Sequence, residues 1–336
     1  MSKKNISIND VARRAKVSIT TVSRVINNVP TVSVKNRVKV EEAVKHLNFS
    51  PNVSAQRLAT GVNTAIGLVM PGYPGIFHSF YAIELIRGVG HACETLRLDL
   101  VFHITNGFNP LNTNAAGGVI FADIIENRSQ VESAVARGTP CVIVNNIVDD
   151  LDVDYIAVDN HLGGELVADY LIGLGHKRIA TVSGNLNTQS GLHRHEGFLS
   201  FLKKKKNIIP PEYICEGDYS RRSARIAAEK LMKLKKIPTA IFAASDDMAL
   251  EIINVVQESG LKVPEDITVI GFDDNPACLY SSVSLTTVKQ PLFQIASEAV
   301  RFLNAVLNEK KKKRKKTVLN PELVIRESSA PPKKGL

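Results

Sequence analysis

The segment 18–27 reads SITTVSRVIN, and its residue types suit contact with a polyanion. Thr20, Thr21, Ser23 and Asn27 carry short donors for phosphate oxygens, and Arg24 can fork onto a guanine edge. Small side chains at the start of the segment also let its backbone approach base edges. These types alone leave a second reading open, a small helical bundle that binds no nucleic acid. Enzyme chemistry finds no foothold. The chain has no GxxxxGKS or GxxxxGKT, no GxGxxG after a strand, no GxSxG and no HExxH, and Gly88 and Gly90 fall inside a helical segment. The four cysteines, Cys93, Cys141, Cys215 and Cys278, are far apart and have no histidine cluster at zinc spacing. They read as core thiols, and no metal or cofactor is expected.

The elements that would position the polar segment are short helices. Ser7 and Asp10 form an S-x-x-D signal that satisfies the free amides of a helix start. Val11, Ala12 and Ala15, then Val17, Val22, Val25 and Ile26, fit two helices packed across a tight turn, with Ser18 capping the second. Ser33 opens a third helix with Val34, Val38, Val40, Val44 and Leu47 as its apolar stripe, and Pro51 closes the unit. Three such helices are how many proteins place a recognition helix in the major groove.

From residue 64 the texture changes to strands alternating with amphipathic helices. Strand-like runs fall at residues 65–70, 98–104, 118–121, 141–144, 155–158, 178–182, 239–243 and 267–271. Helical patterns fall at 80–96, 162–172, 224–234 and 246–257. Repeated strand–helix–strand units argue for an α/β fold with parallel sheets covered on both faces. Two smaller sheets flanking a cleft suit this number of strands, and ligands bind beyond the carboxyl ends of such strands.

The 336 residues are 44% hydrophobic and 22% charged, an ordinary globular composition. The net charge of +9 hints at an acidic partner, but eleven basic residues sit in two runs, at 203–206 and 310–316, which read as solvated faces. No apolar run approaches the ~18–20 residues of a membrane span. The N-terminus lacks a signal peptide's apolar core, so a cytoplasmic location is expected.

The stretch DVARRAKVSITTVSRVINN, followed by RVKVEEAVKHLNFSPN and VSAQRLATG, resembles the head of the lactose-repressor/galactose-repressor family of transcriptional regulators. The resemblance continues through VDNHLGGELVADYLIGLGHKRIATVSG, RHEGF, EGDYS, IFAASDDMAL, VIGFDDNP, LTTVKQP and PELVIRES, and so covers nearly the whole chain. It implies a helix-turn-helix head at 1–50, a hinge helix or linker at 51–62 and a two-lobed, periplasmic-binding-protein-like core at 63–336. The N-terminal lobe would hold 63–158 and 291–316, the other 159–290 and 317–330. It further implies a homodimer bound to a pseudo-palindromic double-stranded operator, controlled by a small molecule, a sugar or related metabolite, in the inter-lobe cleft. Repression is the implied outcome; the alternatives are a DNA-binding regulator without effector control and, less favoured, a soluble sugar-binding receptor.

By the same resemblance Ile19 and Thr20 are the main base-reading residues, with Arg24 beside them. Ser18, Thr21, Ser23, Asn27 and Thr31 touch backbone or base edges. In the hinge, Asn52 and Ala55 accompany Leu58, which matches a leucine that wedges between base pairs in the minor groove. An isolated helix as short as 52–60 is marginal in water, so it is expected to form with its partner and DNA. For the effector, the resemblance brings forward Tyr81, Arg194, Tyr219, Ser245, Asp246 and Asp273. Arg194 and Asp246 also have structural readings, as a bridge between lobes and as a helix cap.

Three departures stand out. Lys16 occupies a turn position where the family prefers Gly, at a cost of about 1 kcal/mol if the backbone is left-handed. Phe49 replaces a Tyr. The dozen residues at 105–117, rich in Asn and Gly, stand where the family has a full helix, so an extended loop and a weakened first lobe are expected.

Overall fold

The computed structural model describes residues 6–26, 29–49, 65–73, 76–112, 115–308 and 314–333. The chain divides into two compact units, residues 1–63 and 64–336. The first contains three helices: α1 (Ile8–Ala15), α2 (Ile19–Ile26) and α3 (Val34–Leu47). Each start is capped as the sequence requires. The Ser7 backbone N–H and hydroxyl both donate to Asp10, the Thr21 N–H donates to Ser18 Oγ at 3.1 Å, and the Asn36 N–H donates to Ser33 Oγ at 3.4 Å. Val11, Ala12, Ala15, Val22, Val25, Val40 and Ala43 are buried together, with Leu47 and Phe49 packed against them. The expected stripe on α3 needs correction: Val34 and Val38 are exposed. Ala43, three residues beyond Val40 and on the same face, takes the inward place that Val38 does not reach.

Lys16 has φ 54° and ψ 44°, in the left-handed region, and the next N–H closes back on the Ala12 carbonyl at 3.2 Å. This tight reversal sets α2 against α1. The strain of placing a lysine here is about 1 kcal/mol.

The second unit carries two six-stranded sheets. The first lobe begins with β1 (Ala65–Pro71), α4 (Phe80–Leu96), β2 (Asp99–Thr105) and β3 (Gly118–Ala122). It continues with α5 (Arg128–Ala136), β4 (Cys141–Val144) and β5 (Asp154–Val158). The second lobe holds α6 (Asn160–Gly173), β6 (Ile179–Val182), α7 (Gln189–Lys204), β7 (Ile214–Cys215) and α8 (Arg221–Met232). There follow β8 (Ala240–Ala243), α9 (Asp246–Glu258), β9 (Thr268–Asp273) and β10 (Thr286–Lys289). The chain then returns to the first lobe with α10 (Leu292–Asn308) and β11 (Lys316–Leu319), and ends in the second with β12 (Glu322–Val324).

The strand orders are β11-β5-β4-β3-β1-β2 and β12-β10-β9-β8-β6-β7, parallel except for β12 against β10. Every residue of β1, β3, β4 and β5 is buried, because helices or loops cover both faces of that sheet. The lobes are joined three times, near Asp159, near Gln290 and after Leu319. Because Lys316–Leu319 pairs in parallel with Tyr155–Val158, the last crossing comes after Leu319 rather than after Lys316. The Asp159 N–H donates to the Leu319 carbonyl at 2.9 Å, tying two crossings together.

Between β2 and β3 the described residues form loop and bends, with a 3-10 turn at Ala115 and no α-helix. The loop is pinned. Thr105 Oγ1 donates to Gln130 Oε1 at 2.9 Å, Gln130 Nε2 donates to the Asn109 carbonyl at 2.5 Å, and Leu111 is buried with Val69, Val119 and Phe121. Leu111 thus supplies apolar cover over β1 and β3 that a helix would otherwise give.

Candidate DNA interface and effector cleft

Helix α2 buries Val22 and Val25 and turns the opposite face outward. Ser18, Ile19, Thr20 and Arg24 are exposed, and Thr21 and Ser23 are half-buried. Ile19 is 49% exposed. The Ser18 and Thr21 hydroxyls share a hydrogen bond of 2.9 Å at the exposed N-terminal end of α2. Thr31 is exposed in the loop before α3. Asn27, Asn52, Ala55 and Leu58 lie outside the described residues.

The cleft is built at the carboxyl ends of the strands. Asp123 follows β3, Asn145 follows β4, Asp273 ends β9, and Tyr219 lies in the loop after β7. All four have positive φ, of 70°, 66°, 129° and 71°. Non-glycine residues held this way cost of order 1–3 kcal/mol each, and such strain gathers at ligand sites. Arg194, 4% exposed on α7, is the cleft's buried cation. Its Nε donates to Asn160 Oδ1 at 2.8 Å and its Nη1 to the Ala244 carbonyl at 2.7 Å. The guanidinium stacks 3.8 Å from the Phe272 ring centre and lies 6.0 Å from that of Tyr219. Asp273 Oδ1 stands 3.9 Å from Arg194 and accepts from Gln290 Nε2, on the second crossing, at 2.6 Å.

Burial dominates the electrostatics. It pushes Asp273 up to about 8, against the opposing pull of Arg194, and Asp123 up to about 6, opposed by Tyr81 and Asn145 and least by Arg194. Tyr81, on α4, is driven well above the usual phenol range by burial and then by the charge of Asp123. Tyr73 is raised by burial and further by Asp123 from one lobe and Asp273 from the other, so these groups face one another across the cleft. The Tyr219 hydroxyl and Gln290 Oε1 are buried without a hydrogen-bond partner. On another side of the cleft, the Gln189 amide clasps the Ile147 backbone with bonds of 2.7 and 3.0 Å, joining α7 to the first lobe.

Tyr81, Arg194, Tyr219 and Asp273 are therefore brought to one place. Ser245 and Asp246 serve the scaffold beside it. Ser245 caps α9, accepting from the Met248 N–H at 3.4 Å. Asp246 has no exposure, and its oxygens accept from the Thr287 hydroxyl at 2.5 Å and the Asn275 N–H at 2.7 Å. Sequence reasoning missed Asp123, Tyr73, Asn145, Asn160, Phe272 and Gln290. Asp123 and Asn145 carried one usable signal, a polar residue directly after a buried strand.

Known proteins match along the same two units. A match to bacterial regulatory proteins of the lacI family spans residues 7–52, and one to a periplasmic binding protein-like domain spans 168–329. The probable HTH-type transcriptional repressor ExuR of Bacillus subtilis is 33% identical over 327 residues, covering 96% of this chain and 98% of that one. The chain belongs to the lacI family of bacterial regulatory proteins. Catabolite control protein A of Priestia megaterium is 32% identical, over 91% of this chain and 93% of that protein. Among solved structures, the lac repressor dimer bound to operator and an anti-inducer matches with a TM-score of 0.85 at 27% identity, covering 97% of this chain and all of that one. A CelR–cellobiose complex matches at 0.72 and 26%, over 96% of this chain and all of that one. The lacI-family chain described here is thus a DNA-binding transcriptional regulator with an effector-binding core. Among its described residues no helix is long and apolar enough to cross a membrane.

Proposed function

We propose that this lacI-family regulator represses transcription from the cytoplasm, without catalysis, by binding a pseudo-palindromic operator as a homodimer. The exposed face of α2 carries the reading. Ile19 and Thr20 contact base edges, Arg24 forks onto a guanine, and Ser18, Thr21, Ser23, Asn27 and Thr31 fix the helix on the backbone. Two chains paired through their cores present two such helices to inverted half-sites. Hinge residues Asn52, Ala55 and Leu58 then reach the minor groove, where Leu58 unstacks a central step.

The supporting observation for control is the constellation at the strand ends of buried Arg194 and Asp123 with half-buried Asp273 and Tyr219, the last three at positive φ. One guanidinium, already holding Asn160 and Ala244, faces two acidic groups. With Asp273 held toward its neutral form and the guanidinium already engaged by Asn160, Ala244 and Asp123, no spare positive charge is left for an anion, which favours an uncharged polyhydroxyl molecule. Its hydroxyls would bond Asp123, Asp273 and Gln290, and a ring face would meet Tyr219. Tyr81, Ser245 and Asp246 shape the site from behind. Binding between the lobes changes their angle and so biases hinge pairing, and the coupling to DNA affinity is reciprocal.

Selection of bound fragments from a random DNA pool, with wild type and Leu58→Ala in parallel, tests the reading. An inverted repeat with a deformable central step, recovered more weakly by Leu58→Ala, supports it. Salt-sensitive binding to all fragments without a motif rejects it.

A further inference from the structure

A second charged surface lies on the head between the end of α1 and α3, reaching the turn that precedes α2. Arg14 and Lys16 at the end of α1 and Lys39, Lys45 and His46 on α3 line an open cavity of about 790 Å³, with Glu42 as its acidic residue. All six side chains are exposed, and among the described residues none of the four Lys and Arg side chains forms an ion pair. The head core explains none of these charges. Val40 and Ala43 on the same helix fill it, while Lys39 and Glu42 stand outside. Lys16 sits at left-handed φ, two residues before the cap of α2. A lysine at this position is a strained choice, and its cation stands at the entry to the helix that reads DNA.

We propose that Lys16, with Arg14, Lys39 and Lys45 behind it, binds DNA phosphates beside the half-site and so extends the footprint beyond the face of α2. The proposal rests on DNA binding by the head and concerns residues outside the reading set. Counter-ion release gives it a distinctive signature. Each phosphate neutralised on duplex DNA steepens the dependence of log affinity on log salt by about 0.9.

The test uses the full chain, a selected operator fragment and titrations between 50 and 200 mM salt. Lys16→Gly removes the cation and relieves the left-handed strain together, so it raises the thermal midpoint while weakening binding. The expected salt slope is shallower by about 0.9, and the wild-type advantage is about 3.5-fold larger at 50 mM than at 200 mM. Lys16→Asn, neutral and tolerant of this backbone, gives the same result and guards against an effect peculiar to glycine. Lys39→Gln combined with Lys45→Gln shallows the slope further. A Lys16→Gly protein with unchanged slope and equal or tighter binding overturns the proposal. Wild-type binding to the operator in the same titration keeps the DNA-binding reading separate from this outcome.

Discussion

Replacing Gly164 by alanine tests the packing that holds Arg194 in place. Helices α6 and α7 touch backbone to backbone. A Cβ on Gly164 would lie 2.3 Å from the Arg194 carbonyl oxygen and 2.7 Å from the Phe198 nitrogen. Neither atom can swing aside as a side-chain tip would. Restoring ordinary contact requires the helices to part by about 1 Å. Arg194 rides on α7 and its partner Asn160 on α6, so the 2.8 Å bond between them lengthens beyond hydrogen-bonding reach. Overpacking of this kind costs about 1–3 kcal/mol, which lowers the thermal midpoint of a domain this size by about 2–10 °C. Gly197→Ala, whose Cβ would meet the His161 carbonyl oxygen at 2.0 Å, acts on the same interface, so the double variant loses less than the two single losses combined. Calorimetry reads the loss, and operator titration at 20 °C shows the head still binding. A Gly164→Ala protein that melts at the wild-type temperature would refute the close approach of α6 and α7.

Three further outcomes follow from the cleft. Arg194→Met leaves Asn160 Oδ1 and the Ala244 carbonyl without their buried donor, at about 1–3 kcal/mol each, and abolishes any shift in operator affinity by ligands that shift the wild type. Burial raises Asp123, to about 6, and Asp273 further still above the ordinary carboxylate range, so the folded core holds protons that the unfolded chain has released. Core stability therefore falls as pH rises from about 4 toward 8. Asp273→Asn flattens the decline between pH 6 and 8, as read by thermal midpoints across that range. Gln189→Ala removes two hydrogen bonds between the lobes, and small-angle scattering of the ligand-free protein should show a larger radius of gyration.

The fold was legible where local chemistry and pattern agree. Caps at Ser7, Ser18 and Ser33 and buried apolar runs such as 118–121 and 141–144 mark their elements without help from distant residues. Short strands were harder. Ile214–Cys215 has two residues, and Lys316–Leu319 alternates exposed and half-buried positions beside a lysine run, so its membership of the first sheet depends on pairing with Tyr155–Val158. The cleft was half legible. Arg194 and Asp273 lie in recognisable segments, whereas Asp123 and Gln290 become cleft residues only when a strand end and a crossing are brought across from them. Asp246 shows the converse: its acidic side chain suggested a ligand contact, but Thr287, forty-one positions away, and Asn275 occupy it.

On the proposed function, α2 reads sequence through Ile19 and Thr20. The direct measurement is selection from a random DNA pool by the wild type and by Ile19→Ala and Thr20→Ala. One inverted repeat is expected for all three, with base preference altered at one position per half-site in each variant and unchanged at the flanks. Identical preferences in all three proteins, or the same inverted repeat recovered after α2 is stripped of both side chains, would contradict it.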